Sequence, residues 1–141
     1  MNQNLMYIPC YAMIILSIIV LIRMFITRVD AIKNGKLKIS NFRTLNQLEN
    51  APEQMLQASR NFTNLFEVPT LFFTVAIFTV ITFQVNYFTL ICAWIFVLFR
   101  FFHSYVHLTS NNVKIRMVYY SLSWLALFVH GTYLLIKILF T

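Results

Sequence analysis

Glu67 stands in a run whose hydropathy assigns it to a membrane interior: Arg60-Asn-Phe-Thr-Asn64-Leu-Phe-Glu67-Val-Pro69, followed by an unbroken apolar stretch. Arg60, Asn64 and Glu67 are spaced i, i+4, i+7 and so share one face of a helix. At 1.5 Å of rise per residue, Glu67 lies roughly 10 Å deeper than Arg60. An ionised group at that depth is costly unless paired or wet, which makes it a candidate for function. Further along, Arg100, His103, Ser104 and His107 fall within roughly 100° of helical arc. Arg116, Tyr119, Tyr120 and Ser123 make a third such face. Arg60, Arg100 and Arg116 against Glu67 leave an excess of positive charge. Unpaired cations in a low dielectric need an anion, and arginine's planar fork suits carboxylates. A small soluble anion carrying several carboxylates, with an amine for Glu67, would satisfy the set.

The elements that must position these residues are membrane spans. The chain has 141 residues, 60% of them hydrophobic and only 11% charged, a composition of polytopic membrane proteins rather than soluble ones. Four spans of about 20 residues are expected, at about 7–26, 61–83, 87–108 and 116–140. They predict one all-α domain over 1–141, an integral membrane four-helix bundle of antiparallel up-down topology. Pro9 falls in the opening turn of the first helix, where its missing N–H is harmless. Arg28 to Asn50 reads as a basic loop with an Asn34-Gly35 turn signal. Asn50-Ala-Pro-Glu53 offers Asn50 as N-cap of the second helix, with Pro52 in its first turn. Pro69 should kink that helix. Gln84-Val-Asn86 fits only a tight hairpin, and Thr109-Ser-Asn-Asn112 a polar turn. Arg100 sits roughly 15 Å deep by the same rise, comparable to Glu67, so the three polar faces are expected to converge on a cavity opening toward the cytoplasm.

The formal net charge is +7, and its distribution matters more than its sum. Arg28, Lys33, Lys36, Lys38 and Arg43 crowd one connecting segment, Lys114 and Arg116 flank another, and none occurs before Arg23 or between Arg60 and Arg100. This is the positive-inside pattern for two cytoplasmic basic loops with both termini outside, and it argues against nucleic acid as a partner. Cys10 and Cys92 lie in apolar segments without metal-type spacing, so no metal site is expected. Met1 to Cys10 has no basic start, so the first apolar run reads as a retained span rather than a signal peptide.

Each polar residue also has a plainer reading. Arg60 and Arg116 suit interfacial, topology-setting positions. Arg100 with Glu67 suits a structural ion pair, His107 a packing hydrogen-bonder, and His130 a structural residue.

At these positions the chain resembles the MAPEG family, the membrane-associated proteins in eicosanoid and glutathione metabolism, among them its bacterial-type members. The resemblance rests on Arg60, Asn64, Glu67 and Pro69 in the second helix, Arg100 and His103 in the third, and Arg116 with Tyr120 in the fourth. The separations among them resemble those of the prostaglandin-synthase branch without a gap. The resemblance implies a homotrimer that holds glutathione, as co-substrate, between neighbouring subunits near the cytoplasmic side. By position, Arg60 and Asn64 would bind the peptide and its carboxylates, Glu67 its amino group, and Tyr120 would line the site. Arg100, His103 and His107 would complete the binding face, with Arg28 supplied by a neighbouring subunit. Arg116 would be the catalytic, thiolate-stabilising arginine. His103 and His107 stand where well-studied members often carry tyrosine or another residue. Ser59 and Phe62 stand where the eicosanoid enzymes are more polar, and nothing in the chain favours eicosanoid substrates.

The function so implied is a glutathione-dependent membrane transferase or peroxidase acting on lipophilic electrophiles, in contact with membrane lipids. Two competitors are a non-catalytic scaffold whose polar pairs fix helix register, and a small transporter subunit using Arg100, His103 and His107 as an ion path. A transporter would prefer inverted repeats or broken helices in matching positions, and Pro69 has no counterpart in the second half.

Overall fold

The computed structural model describes residues 1–43 and 51–140, and among these it contains four long helices and no strand. The first, α1, spans Tyr7–Lys33 behind a single 3-10 turn at Gln3–Met6, with Pro9 buried in its opening turn. It runs beyond the expected end of the span because nothing before Asn34-Gly35 breaks a helix. Arg28 therefore sits on α1 rather than in a loop. Gly35 ends the helix at φ 68°, a left-handed conformation glycine adopts without strain. The N–H groups of Lys36 and Leu37 then fold back on the carbonyl of Ala31 at 3.0 and 3.2 Å. Ala31, Leu37 and Met55 form a small buried cluster with Phe42 and Ala51 against it, pinning the end of α1 to the start of the next helix.

That helix, α2, spans Glu53–Ile81. Asn50 lies outside the described residues, and the residue at the N-cap position is Pro52, with no side-chain cap bond. Proline thus precedes the first turn instead of occupying it. Pro69 is carried inside the helix, where it has no N–H to offer the carbonyl of Leu65. Residues 82–86 reverse the chain, with Phe83 in a left-handed conformation at φ 58°. Asn86 then caps α3, Tyr87–Leu108, in a reciprocal capping box with Thr89, at 3.1 Å for Thr89 N–H to Asn86 Oδ1 and 3.0 Å for the return bond. Asn112 caps α4, Val113–Phe140, by accepting from the N–H groups of Lys114 and Ile115 at 3.1 and 3.3 Å.

The helices pack as two antiparallel pairs, α1 on α2 and α3 on α4, with α2 and α3 at the centre. The side chain of Gln3 accepts from Val85 N–H at 3.2 Å, tying the start of the chain to the turn between α2 and α3. Phe72 and Phe96 stack across the α2–α3 contact with ring centroids 4.5 Å apart. Ala58, Ala76, Ala93 and Ala126 are buried, small residues of the kind that let helix backbones approach closely in lipid. Large apolar side chains, Tyr11, Phe25, Ile77 and Phe128 among them, point outward along the helices. All four helices are long and apolar enough to cross a bilayer. The chain is an integral membrane protein.

Candidate functional site

The buried face of α2 carries Ala58, Asn61, Leu65, Val68, Phe72, Ala76 and Thr79, a helical repeat with one fully polar member. That member is Asn61, not Arg60. Arg60 and Glu67 are exposed and Asn64 is half-buried. On α3 the polar face turns the other way. Arg100 is 0% exposed, and His103, Ser104 and His107 are all buried. The three polar faces therefore do not close on one cavity inside a single chain: that of α3 points into the bundle, while that of α2 opens outward.

Asn64 joins the two. Its main-chain carbonyl accepts from Arg100 Nη2 at 2.6 Å, so the buried guanidinium sits directly behind the outward strip. Arg100 forms no ion pair with Glu67 among the described residues. Its guanidinium stacks over the ring of Tyr120, 5.5 Å from the centroid, and its Nε and Nη1 atoms are buried without a partner. Beside it Ser104 donates to Asn61 Oδ1 at 3.1 Å, leaving Asn61 Nδ2 unpartnered. Asn61 escaped the sequence reading because Arg60, the charged neighbour, drew the register. Its signal was there: it leads Leu65, Val68 and Phe72 at helical spacing.

The second half of the site is the junction of α3 and α4. Asn111 takes a left-handed conformation at φ 48°, tolerated by asparagine, and its N–H returns to the carbonyl of Val106 at 2.8 Å. That turn brings the first turn of α4 under both histidines. His103 Nδ1 lies 3.0 Å from the carbonyl oxygen of Arg116. His107 Nε2 and Asn111 Oδ1 lie 3.0 and 2.7 Å from Arg116 Nη1. A carbonyl only accepts and a guanidinium only donates, so the tautomers follow. His103 carries its proton on Nδ1 and keeps a lone pair on Nε2, whereas His107 accepts through Nε2 and carries its proton on Nδ1. His103 Nε2 and His107 Nδ1 are both buried and unpartnered. Tyr120 lies against His103 as well as Arg100, with ring centroids 5.6 Å apart.

Other expected members go elsewhere. Tyr119 packs on Phe99 and Phe102, at 6.3 and 5.5 Å between centroids, as part of an aromatic stack. Ser123 is buried and bonds the carbonyl of Tyr120 at 2.7 Å, a local helix bond. The guanidinium of Arg28 sits over the ring of Phe42 at 5.8 Å. His130 meets Thr79 at 3.0 Å, an interhelical tie between α2 and α4. Cys10 and Cys92 are free thiols. Among the described residues, no group of three His, Cys, Asp or Glu side chains could hold a metal ion.

Apart from Arg28 Nε, the buried unpartnered side-chain atoms among the described residues all fall in this cluster: Nε and Nη1 of Arg100, Asn61 Nδ2 and His107 Nδ1 as donors, and His103 Nε2 as an acceptor. A buried, donor-rich, cationic layer suits a partner bearing anionic oxygen or sulfur. No curated protein and no solved structure matches the chain at a significant level. The model of the MAPEG family matches residues 6–136, a span that reaches into all four helices, and the chain belongs to that family.

Proposed function

We propose that this protein is a glutathione-dependent membrane transferase or peroxidase acting on lipophilic electrophiles, as a bacterial-type member of its family, and that it works as a homotrimer. The observation that carries the reading is the outward polar strip of Arg60, Asn64 and Glu67 backed by the buried, partly unpartnered Arg100. Charged side chains facing lipid at this depth are expensive. A second copy of the chain laid over that strip would remove them from lipid and close a cleft whose α2 wall carries both the cations and the carboxylate. Glutathione offers two carboxylates and one amine. Arg60, Asn64 and Arg100 suit the carboxylates and peptide oxygens, Glu67 the amino group, and Tyr120 the wall of the cleft. Arg28 on α1 of the neighbouring subunit is the further cation we assign to it.

In this reading Arg116 faces the sulfur. A thiol of ordinary pKa, about 8.5, is mostly protonated at neutral pH, and a cation held close favours the thiolate. The thiolate sulfur then bonds to the electrophilic carbon of a molecule arriving from the lipid, and the leaving group departs with its electron pair. The Lys and Arg asymmetry supports a cytoplasmic mouth, with both basic segments inside and both termini outside.

Calorimetry of the purified protein with glutathione tests the binding, and turnover of a generic aryl halide and of a lipid hydroperoxide tests the chemistry. Saturable binding with either turnover is the expected result. A second reading, a scaffold without chemistry, draws on the Ser104–Asn61 and Arg100–Asn64 bonds, which fix the register of α3 on α2. Absence of glutathione binding favours that reading.

A further inference from the structure

We propose that His107 and Asn111 are positioning residues for Arg116, and that together they aim its Nε–Nη2 edge at the reacting sulfur. The proposal rests on the functional reading above and assigns these two side chains a task within it. Nη1 of a guanidinium has two N–H bonds, and here two acceptors meet it, His107 Nε2 at 3.0 Å and Asn111 Oδ1 at 2.7 Å. That nitrogen is saturated. Nε and Nη2 meet no partner among the described residues, so the free edge of the fork is defined by what holds the other one.

The backbone end of the same residue is fixed too, since His103 Nδ1–H donates to the Arg116 carbonyl at 3.0 Å. Arg116 is thus held at its main chain by one histidine of α3 and at its head by the next, one turn further on. The third contact depends on the turn: Asn111 presents its amide from a left-handed conformation at φ 48°, which sets its Oδ1 against the first turn of α4. An arginine is long and flexible, and a cation displaced by about 1 Å from its productive place can cost 100-fold in rate. His107 acts on the sulfur only through Arg116. For that it must be neutral, with its lone pair on Nε2.

The test uses the full-length protein with glutathione, reading the absorbance of the bound thiolate against pH together with turnover of a generic aryl halide. In His107→Leu the bound thiol titrates at higher pH and turnover falls roughly 10- to 100-fold, a larger loss than that of glutathione affinity. His107→Gln, whose Oε1 can accept from Nη1, recovers most of both. Asn111→Gly keeps the left-handed turn and removes the side-chain amide that supplies Oδ1, and it shifts thiol titration and turnover in the same direction as His107→Leu, which guards against a folding defect in the helix. A His107→Leu protein that titrates and turns over like wild type overturns the proposal. So does equal damage in the Leu and Gln variants, or a loss of affinity in place of turnover. A wild-type protein that binds no glutathione overturns the functional reading and this assignment together, whereas one that binds and reacts with an indifferent His107→Leu overturns the assignment alone.

Discussion

Arg100 Nη2 lies 2.6 Å from the main-chain carbonyl oxygen of Asn64, in the stretch of α2 just ahead of Pro69. One bond to a neutral carbonyl and one stacked ring do not balance a fully buried cation. Its Nε and Nη1 are buried without a partner among the described residues. Apolar replacement of such groups is often neutral or stabilising, because the desolvation cost disappears with the charge.

Arg100→Met therefore leaves the unliganded protein between unchanged and about 3 kcal/mol more stable, and removes the stabilisation that glutathione confers on wild type. Thermal unfolding in detergent, with and without glutathione, measures both. A loss of several kcal/mol in the unliganded variant would make Arg100 a structural residue, and the scaffold reading would gain by it.

Arg60 and Glu67 are exposed on the chain, so replacing them disturbs no packing inside the bundle. Arg60→Ala and Glu67→Gln should each weaken glutathione binding by roughly 1.5–3 kcal/mol, the range for hydrogen bonds to charged groups, while both proteins still assemble. Calorimetry beside size-exclusion chromatography separates the two effects. Unchanged affinity in both variants would take the strip on α2 out of the site.

The contrast between Arg60 and Asn61 shows what could and could not be read from the residues. Helix existence was legible because about 20 apolar residues in a row have no other use, and the turn at Gly35 because a left-handed glycine stops a helix. The spacing of Arg60, Asn64 and Glu67 says that they share a face, but not which way that face points. In a soluble protein the apolar side would settle it. In a bilayer both the bundle interior and the lipid are apolar, so hydropathy carries no such contrast, and only small residues such as Ala58 and Ala76 mark the packed side. The polar face of α3 turns inward with Cys92, Ala93, Phe96 and Val97. The meeting of His107 with Arg116 depends on the left-handed Asn111, which spacing does not reveal.

The proposed sidedness of the bundle rests on charge. Lys33, Lys36, Lys38 and Arg43 gather after the membrane-crossing part of α1, and the start of the chain has no Lys or Arg before Arg23. Single cysteines placed at Lys36 and Asn2, in a background lacking Cys10 and Cys92, should label oppositely in intact cells: position 36 protected from an impermeant reagent, position 2 exposed. The reverse pattern would invert the topology and put the proposed cleft on the outer side.

Arg116 is where binding and chemistry should come apart. Its Nη1 is taken up by His107 and Asn111, so the interaction available to a ligand comes from its other edge. A cation beside a thiol stabilises the charged form, which lowers the thiol pKa, and the thiolate is the reacting species. The absorbance of bound thiolate should therefore titrate below the free value of about 8.5 in wild type. In Arg116→Ala it should return toward that value while glutathione still binds, so turnover suffers more than affinity. Arg116→Lys keeps the charge but loses the planar fork, so it should recover only part of the shift. Should Arg116→Ala retain both a depressed thiol pKa and full turnover, the stabilising cation is a different one, and Arg100, buried with two open nitrogens, is the residue to test next.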